Sequence, residues 1–122
     1  MSATVLIAED EPMIARILSE KLTREGHAVT RVASVAALAE ALPSCDVALV
    51  DVTLDGDGIE AMGRLASAGT LPRAGWFAML ESRAADDGGR AVDAGAAGVI
   101  LKPFKPTAVA AKVTTLLAAV VR

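Results

Sequence analysis

Three acids and one lysine stand directly behind short apolar runs. "VLIAED" sets Glu9 and Asp10 behind the first run, "VALVD" sets Asp51 behind another, and "GVILK" ends on Lys102. If these runs are parallel strands, all four residues reach one edge of a sheet, the carboxyl ends, where open α/β sheets bind ligands. Carboxylates gathered there repel, by about 4 kcal/mol for a pair at 4 Å and an effective dielectric of 20. Lys102 supplies one compensating charge, and a divalent ion would supply the rest. Donors that are all oxygen, with room for water, suit Mg²⁺ better than zinc, which prefers nitrogen and sulfur. His27, the single histidine, begins a different run and is expected at the surface rather than as a ligand.

The elements that would carry these residues alternate along the chain. Apolar runs at 4–8, 27–32, 46–50, 74–80 and 97–101 read as five strands. Helical spacing of Ile14, Ile17, Leu18 and Leu22 predicts a helix within the stretch 11–26, with Pro12 near its start and Gly26 just past its end. Arg16, Glu20 and Arg24 mark its solvated face. A second helix spans 34–42, capped by Ser34 and closed by Pro43. A third runs to about Ala68, and a last one carries an apolar stripe of Val109, Val113, Leu116, Leu117 and Val120. "RAADDGGRAVDAG" is a poor helix, weakened by Gly88 and Gly89. Five strands alternating with five helices predict an α/β sandwich, a parallel sheet covered on both faces.

Composition narrows the function. The 122 residues suit a single domain, 1–122, with one core and no second unit. The chain is 53% hydrophobic, which excludes general disorder. With a net charge of −3, two Phe, one Trp and no Tyr, it offers neither a basic patch nor a stacking surface for nucleic acid. No stretch approaches a membrane span, and acids arrive too early for a secretory signal. Cys45 is the single cysteine, so no internal disulfide forms. These observations predict a cytoplasmic domain. Trp76 is expected in the core.

The stretch "LVDVTLDGDGIE" concentrates the chemistry. Asp51 is the candidate reactive carboxylate. Asp57 with Glu60 three residues later matches a helix capping box, and Gly56 and Gly58 allow a tight turn. Asp55 is either a turn residue or a further acid near the metal.

In order and spacing, "VLIAEDEPMI", "ALVDVTL" and "DAGAAGVILKPF" resemble the receiver domains of bacterial response regulators, from Thr4 to the last helix. The resemblance implies a doubly wound (βα)5 fold with strand order 2-1-3-4-5 and a cis peptide between Lys102 and Pro103. It implies that Asp51 accepts a phosphoryl group from a histidine kinase or a histidine phosphotransfer protein. Asp10 would be a direct Mg²⁺ ligand, and Glu9 the second acid, with a contact through water open to it. The Thr53 backbone carbonyl would complete the set, and Lys102 would pair with Asp51 and later hold a phosphoryl oxygen. Such a domain is no enzyme in its own right. It switches protein–protein contacts with a downstream target, and its Ala- and Val-rich last helix also suits a weak homodimer.

The chain departs from that family in three places. The segment after Asp51 lacks the usual proline and is about one residue short. The family's Thr or Ser at the end of the fourth strand falls here on Leu80 or Glu81, with Ser82 the nearest hydroxyl to substitute. Val99 stands where the family places an aromatic switch residue, so any switching is expected through segment 82–94. An alternative is therefore a pseudo-receiver that binds partners without phosphorylation. A haloacid dehalogenase-type phosphatase fits less well, because its general acid would fall on Thr53.

Overall fold

A computed structural model of the chain describes residues 3–81 and 86–121. Among the described residues, five strands alternate with five helices: β1 (Thr4–Ala8), α1 (Pro12–Arg24), β2 (Ala28–Val32), α2 (Val35–Ala41), β3 (Val47–Asp51), α3 (Gly58–Ser67), β4 (Gly75–Glu81), α4 (Asp87–Asp93), β5 (Gly98–Lys102) and α5 (Pro106–Val121). A short 3₁₀ turn, Leu42–Ser44, follows α2. The strands form one parallel sheet in the order β2-β1-β3-β4-β5, as expected.

Alternation along each strand divides the core in two. Val5, Ile7, Val47, Leu49, Phe77, Met79 and Ile100 pack with Leu18 and Leu22 of α1 and Val109, Val113 and Leu117 of α5. Leu6, Ala8, Ala48, Val50, Trp76, Ala78 and Leu80 pack on the other face with Leu38, Ile59, Met62 and Ala91, from α2, α3 and α4. β3 is buried along its whole length, as a central strand covered on both faces must be. β2 at the sheet edge is mostly exposed.

Local signals behave as their chemistry requires. Ser34 accepts the Ala37 N–H and starts α2. Gly26, at φ 94°, turns the chain beyond α1. The α4 segment holds one helix of seven residues, and the Asp86 side chain does not cap it.

Two expectations fail. Ile17 is 42% exposed and Met13 70%, whereas Ala15, Leu18 and Leu22 face the sheet. Ile17 lies one residue from Leu18, about 100° around the helix, and a run this rich in isoleucine does not reveal which stripe points inward. His27 is buried, and its Nδ1 accepts the Ala3 N–H at 3.2 Å. It precedes β2 rather than opening it. Parallel pairing of Thr4 with Ala28 brings it under the start of β1.

Candidate functional site

β1, β3 and β5 end at the same edge of the sheet, and the residue parity of each strand selects one face. Glu9 shares parity with Ile7, Asp51 with Leu49 and Lys102 with Ile100, all on the α1–α5 side. Four residues expected at the site, Glu9, Asp10, Asp51 and Lys102, are therefore brought together. Lys102 Nζ donates to Asp51 Oδ2 at 2.9 Å and to Glu9 Oε1 at 2.7 Å. The pairing with Asp51 is the expected one, and the equally short contact with Glu9 is an addition. All three side chains are nearly enclosed, with Glu9 3%, Asp51 4% and Lys102 8% exposed. Glu9, Asp10 and Asp51 each present an oxygen, and these oxygens lie within 4.8 Å of one another. Asp10 is the exposed member, open to solvent. The expected cis peptide between Lys102 and Pro103 is present.

Burial and charge divide the protons unequally. Burial pushes the Glu9 carboxyl up to about 7, and its contact with Asp51 adds to this, while Lys102 and the Glu11 N–H pull it down. Burial also acts to raise Asp51, but hydrogen bonding with Glu9, the Thr53 N–H, Lys102 and the Thr53 hydroxyl outweighs it and holds Asp51 below the usual carboxylate range. Desolvation likewise acts to lower Lys102, and its bonds to Glu9 and Asp51 overcome that and raise it. Asp51 is thus the ionised acid of the pair.

A carboxyl with a folded-state pKa near 7, against an unfolded value of 4.5, binds its proton more tightly in the folded protein. Its contribution to stability is complete below the lower value and declines as pH rises through about 7. Without divalent ions, the Glu9 contribution to the melting temperature therefore falls between about pH 5 and about pH 8. Thermal melts of Glu9→Gln, which mimics the protonated acid, should lose that slope relative to the unaltered chain. Asp51 and Lys102 shift away from this window and leave it to Glu9.

The turn after β3 accounts for the remaining acids of the segment. The Thr53 N–H and its Oγ1–H both donate to Asp51 Oδ1, at 2.8 and 2.9 Å. The expectation for Thr53 concerned only its carbonyl. The hydroxyl contact was foreseeable, since short polar side chains near an Asp often bond back locally. Asp55 is settled as a structural residue: its Oδ1 accepts the Val35 N–H at 2.8 Å and ties the turn to the start of α2. It is not among the clustered metal-type oxygens.

Asp57 caps α3 by accepting the N–H groups of Ile59 and Glu60. It also accepts from Arg90 Nη2 at 2.8 Å, and Arg90 reaches Asp87 at 3.3 Å. Arg90 thus bridges the turn to α4, a link no local pattern announces across 33 residues. An open cleft of about 340 Å³ lies between the turn and α4.

The end of β4 decides between two residues that sequence left open. Leu80 is fully buried in the α2–α4 face of the core. Glu81 is exposed and stands opposite Lys102 in the strand register. A carboxylate, not a hydroxyl, occupies the rim there. Ser82, the expected substitute, lies outside the described residues, as does the first part of segment 82–94. Cys45 is buried, with its thiol pushed up to about 11 by burial, consistent with an inert core residue. Trp76 is in the core, its indole Nε1 without a hydrogen-bond partner among the described residues.

Known proteins share this fold. The pattern of the response regulator receiver domain matches residues 5–114. No curated protein matches the chain. Among solved structures, the receiver domain of the TMAO respiratory system response regulator TorR is 28% identical, with a TM-score of 0.86 over 96% of this chain and 98% of that one. A CheY-like response regulator receiver domain protein from Methanospirillum hungatei is 20% identical, with a TM-score of 0.85 over 98% and 96% of the two chains. A receiver domain of a Francisella response regulator is 19% identical, with a TM-score of 0.85 over 96% and 98%. The last two likenesses concern the fold alone. Among the described residues, no helix is long and apolar enough to cross a membrane. With the family pattern matched over nine-tenths of its length and the strand order observed, the chain belongs to the response regulator receiver domains of two-component systems.

Proposed function

We infer that Asp51 accepts a phosphoryl group from the phosphohistidine of a kinase or phosphotransfer protein. The observation that carries this reading is the Lys102 ammonium bridging Glu9 and Asp51 in a nearly closed site. Phosphoryl transfer asks a protein for position and neutralised charge more than for covalent assistance. Asp51 is ionised and fixed at both oxygens, as an acceptor in line with its donor should be. One of its oxygens bonds to phosphorus as the phosphorus–nitrogen bond breaks, and the electron pair leaves with the imidazole. Lys102 loses part of its carboxylate partner in that step and turns to a phosphoryl oxygen.

The three clustered acids fit Mg²⁺, being oxygen donors with one exposed member. Glu9, Asp10 and Asp51, with the Thr53 carbonyl, would hold the ion, which when bound neutralises phosphoryl charge. The phosphoryl group stays on the chain, so the protein acts as a stoichiometric acceptor and not as an enzyme. Its output is altered contact with a protein target.

One observation favours a second reading, the phosphorylation-independent binding module. Glu81 places a negative charge at the rim where an incoming phosphate would be repelled. Intact mass after incubation with acetyl phosphate and Mg²⁺ separates the two. The acceptor reading expects an adduct that needs Mg²⁺, is abolished by EDTA and is missing from Asp51→Asn. Absence of any adduct, together with no response to beryllofluoride, would favour the binding module.

A further inference from the structure

We propose that Glu81 makes the acceptor choose its donor by charge, favouring phosphoryl groups carried on a protonated nitrogen over dianionic acyl phosphates. The inference rests on the reading of Asp51 as acceptor and adds a residue that decides which donors it takes.

The strand register fixes where Glu81 points. In a sheet, residues paired across neighbouring strands project to the same face. Glu81 pairs with Lys102 on β5, and Met79, two residues before it, pairs with Asp51 on β3. Met79 belongs to the α1–α5 half of the core, so the Glu81 side chain leaves the sheet on the side where Asp51 and Lys102 meet. Its strand lies between theirs, and adjacent strands are about 4.8 Å apart. Leu80 has the opposite parity and is buried in the other half of the core.

Charge at this edge is uneven. The Lys102 ammonium is committed to Glu9 and Asp51, at 2.7 and 2.9 Å. Its register neighbour Glu81 is an exposed carboxylate at the mouth. A donor entering from solvent meets that charge before it reaches the buried ammonium.

The donor's own charge then decides the rate. An Asp51 oxygen bonds to phosphorus as the donor's bond to phosphorus breaks, and the electron pair leaves with the departing atom. Acetyl phosphate, a dianion at neutral pH, loses acetate by cleavage of a phosphorus–oxygen bond. Phosphoramidate is a monoanion there, because its nitrogen holds an extra proton. Its phosphorus–nitrogen bond breaks and neutral ammonia departs. A phosphohistidine with a protonated ring shares that pattern and releases neutral imidazole. Charge is conserved in the transfer, so each transition state brings its donor's total charge to the site. Second-order rate constants compare that state with the free donor. Glu81 therefore slows the dianion more than the monoanion. The margin is one unit charge near a partly solvated carboxylate, about threefold to tenfold in rate.

The test measures these constants by intact mass for the unaltered chain, Glu81→Gln and Glu81→Asp. Acetyl phosphate and phosphoramidate are compared, with Mg²⁺, at low and high ionic strength, and melting curves confirm folding. In Glu81→Gln the ratio of the acetyl phosphate constant to the phosphoramidate constant should rise about threefold to tenfold, while Glu81→Asp stays within about twofold of the unaltered chain. Salt should shrink the difference between Glu81→Gln and the unaltered chain, because it screens exposed charges. An equal gain with both donors, or none, in a folded Glu81→Gln overturns the inference and leaves the acceptor reading standing. A changed ratio that ignores salt would assign the effect to shape and equally overturn it. Uptake from neither donor by either chain removes the acceptor reading, and this inference with it.

Discussion

Lys102→Met should melt well below the unaltered chain at neutral pH and recover much of the difference in acid. Methionine keeps most of the apolar stem and removes the ammonium that joins Glu9 to Asp51. Removing one partner of a buried ion pair typically destabilises by 3–5 kcal/mol, because the remaining charge loses its compensation. Here the lower end applies, about 3 kcal/mol, since Glu9 has a pKa near 7 and sheds its charge by holding a proton. For a domain of this size that is about 10 °C in melting temperature. Lowering the pH should restore stability, because Asp51, deprived of its lysine, then takes up a proton as well. Mg²⁺ should restore it without acid if the clustered oxygens hold that ion. Thermal melts against pH, with and without Mg²⁺, measure all of this. A variant equally unstable at every pH would show that Lys102 acts through packing and not through charge.

Gly58→Ala should destabilise the chain by about 1–3 kcal/mol and disturb the site, although alanine is the better helix former. A Cβ at Gly58 would sit 2.8 Å from the Asp51 carbonyl oxygen and 3.0 Å from the Val52 Cα. These are backbone atoms at the end of the central strand and cannot turn aside like the tip of a side chain. The Gly58 N–H also bonds the Val52 carbonyl at 2.9 Å, so α3 begins in direct contact with the residues that aim Asp51. Pushing the helix away would strain the Asp57 cap and tilt the Asp51 carboxylate.

Gly63, in the same helix, is the control. A Cβ there meets only the Ala94 methyl, at an ordinary 3.8 Å, so Gly63→Ala should stabilise by about 1 kcal/mol. Denaturant midpoints of the two variants should move in opposite directions. A Gly58→Ala chain as stable as Gly63→Ala would mean that the close approach is easily relaxed.

These cases show what sequence could and could not convey. Strand ends were legible because an apolar run that stops on an acid marks both the strand and the edge it reaches. The Ser34 and Asp57 caps were legible because each bonds N–H groups two or three residues ahead. Asp55 was not, because the donor it satisfies lies twenty residues upstream. Leu80 and Glu81 could not be told apart without the register against β5, since a shift of one residue exchanges the two faces of a strand. His27 looked like a surface residue until pairing of β1 with β2 brought the Ala3 N–H to it. The double role of Lys102 depends on a contact 93 residues away in sequence, which no local pattern encodes.

That separation also orders the site in time. Glu9, Asp10 and Asp51 leave the ribosome well before their lysine, which lies 51 residues beyond Asp51. At 5–20 residues per second, the wait is roughly 3–10 s. β5 is moreover an outer strand, joined to the sheet only along β4. Until it adds, the acids lack the lysine that bridges two of them, and the site in the newly made chain is incomplete. Competence to receive a signal therefore arrives with the closing step of folding rather than gradually during synthesis.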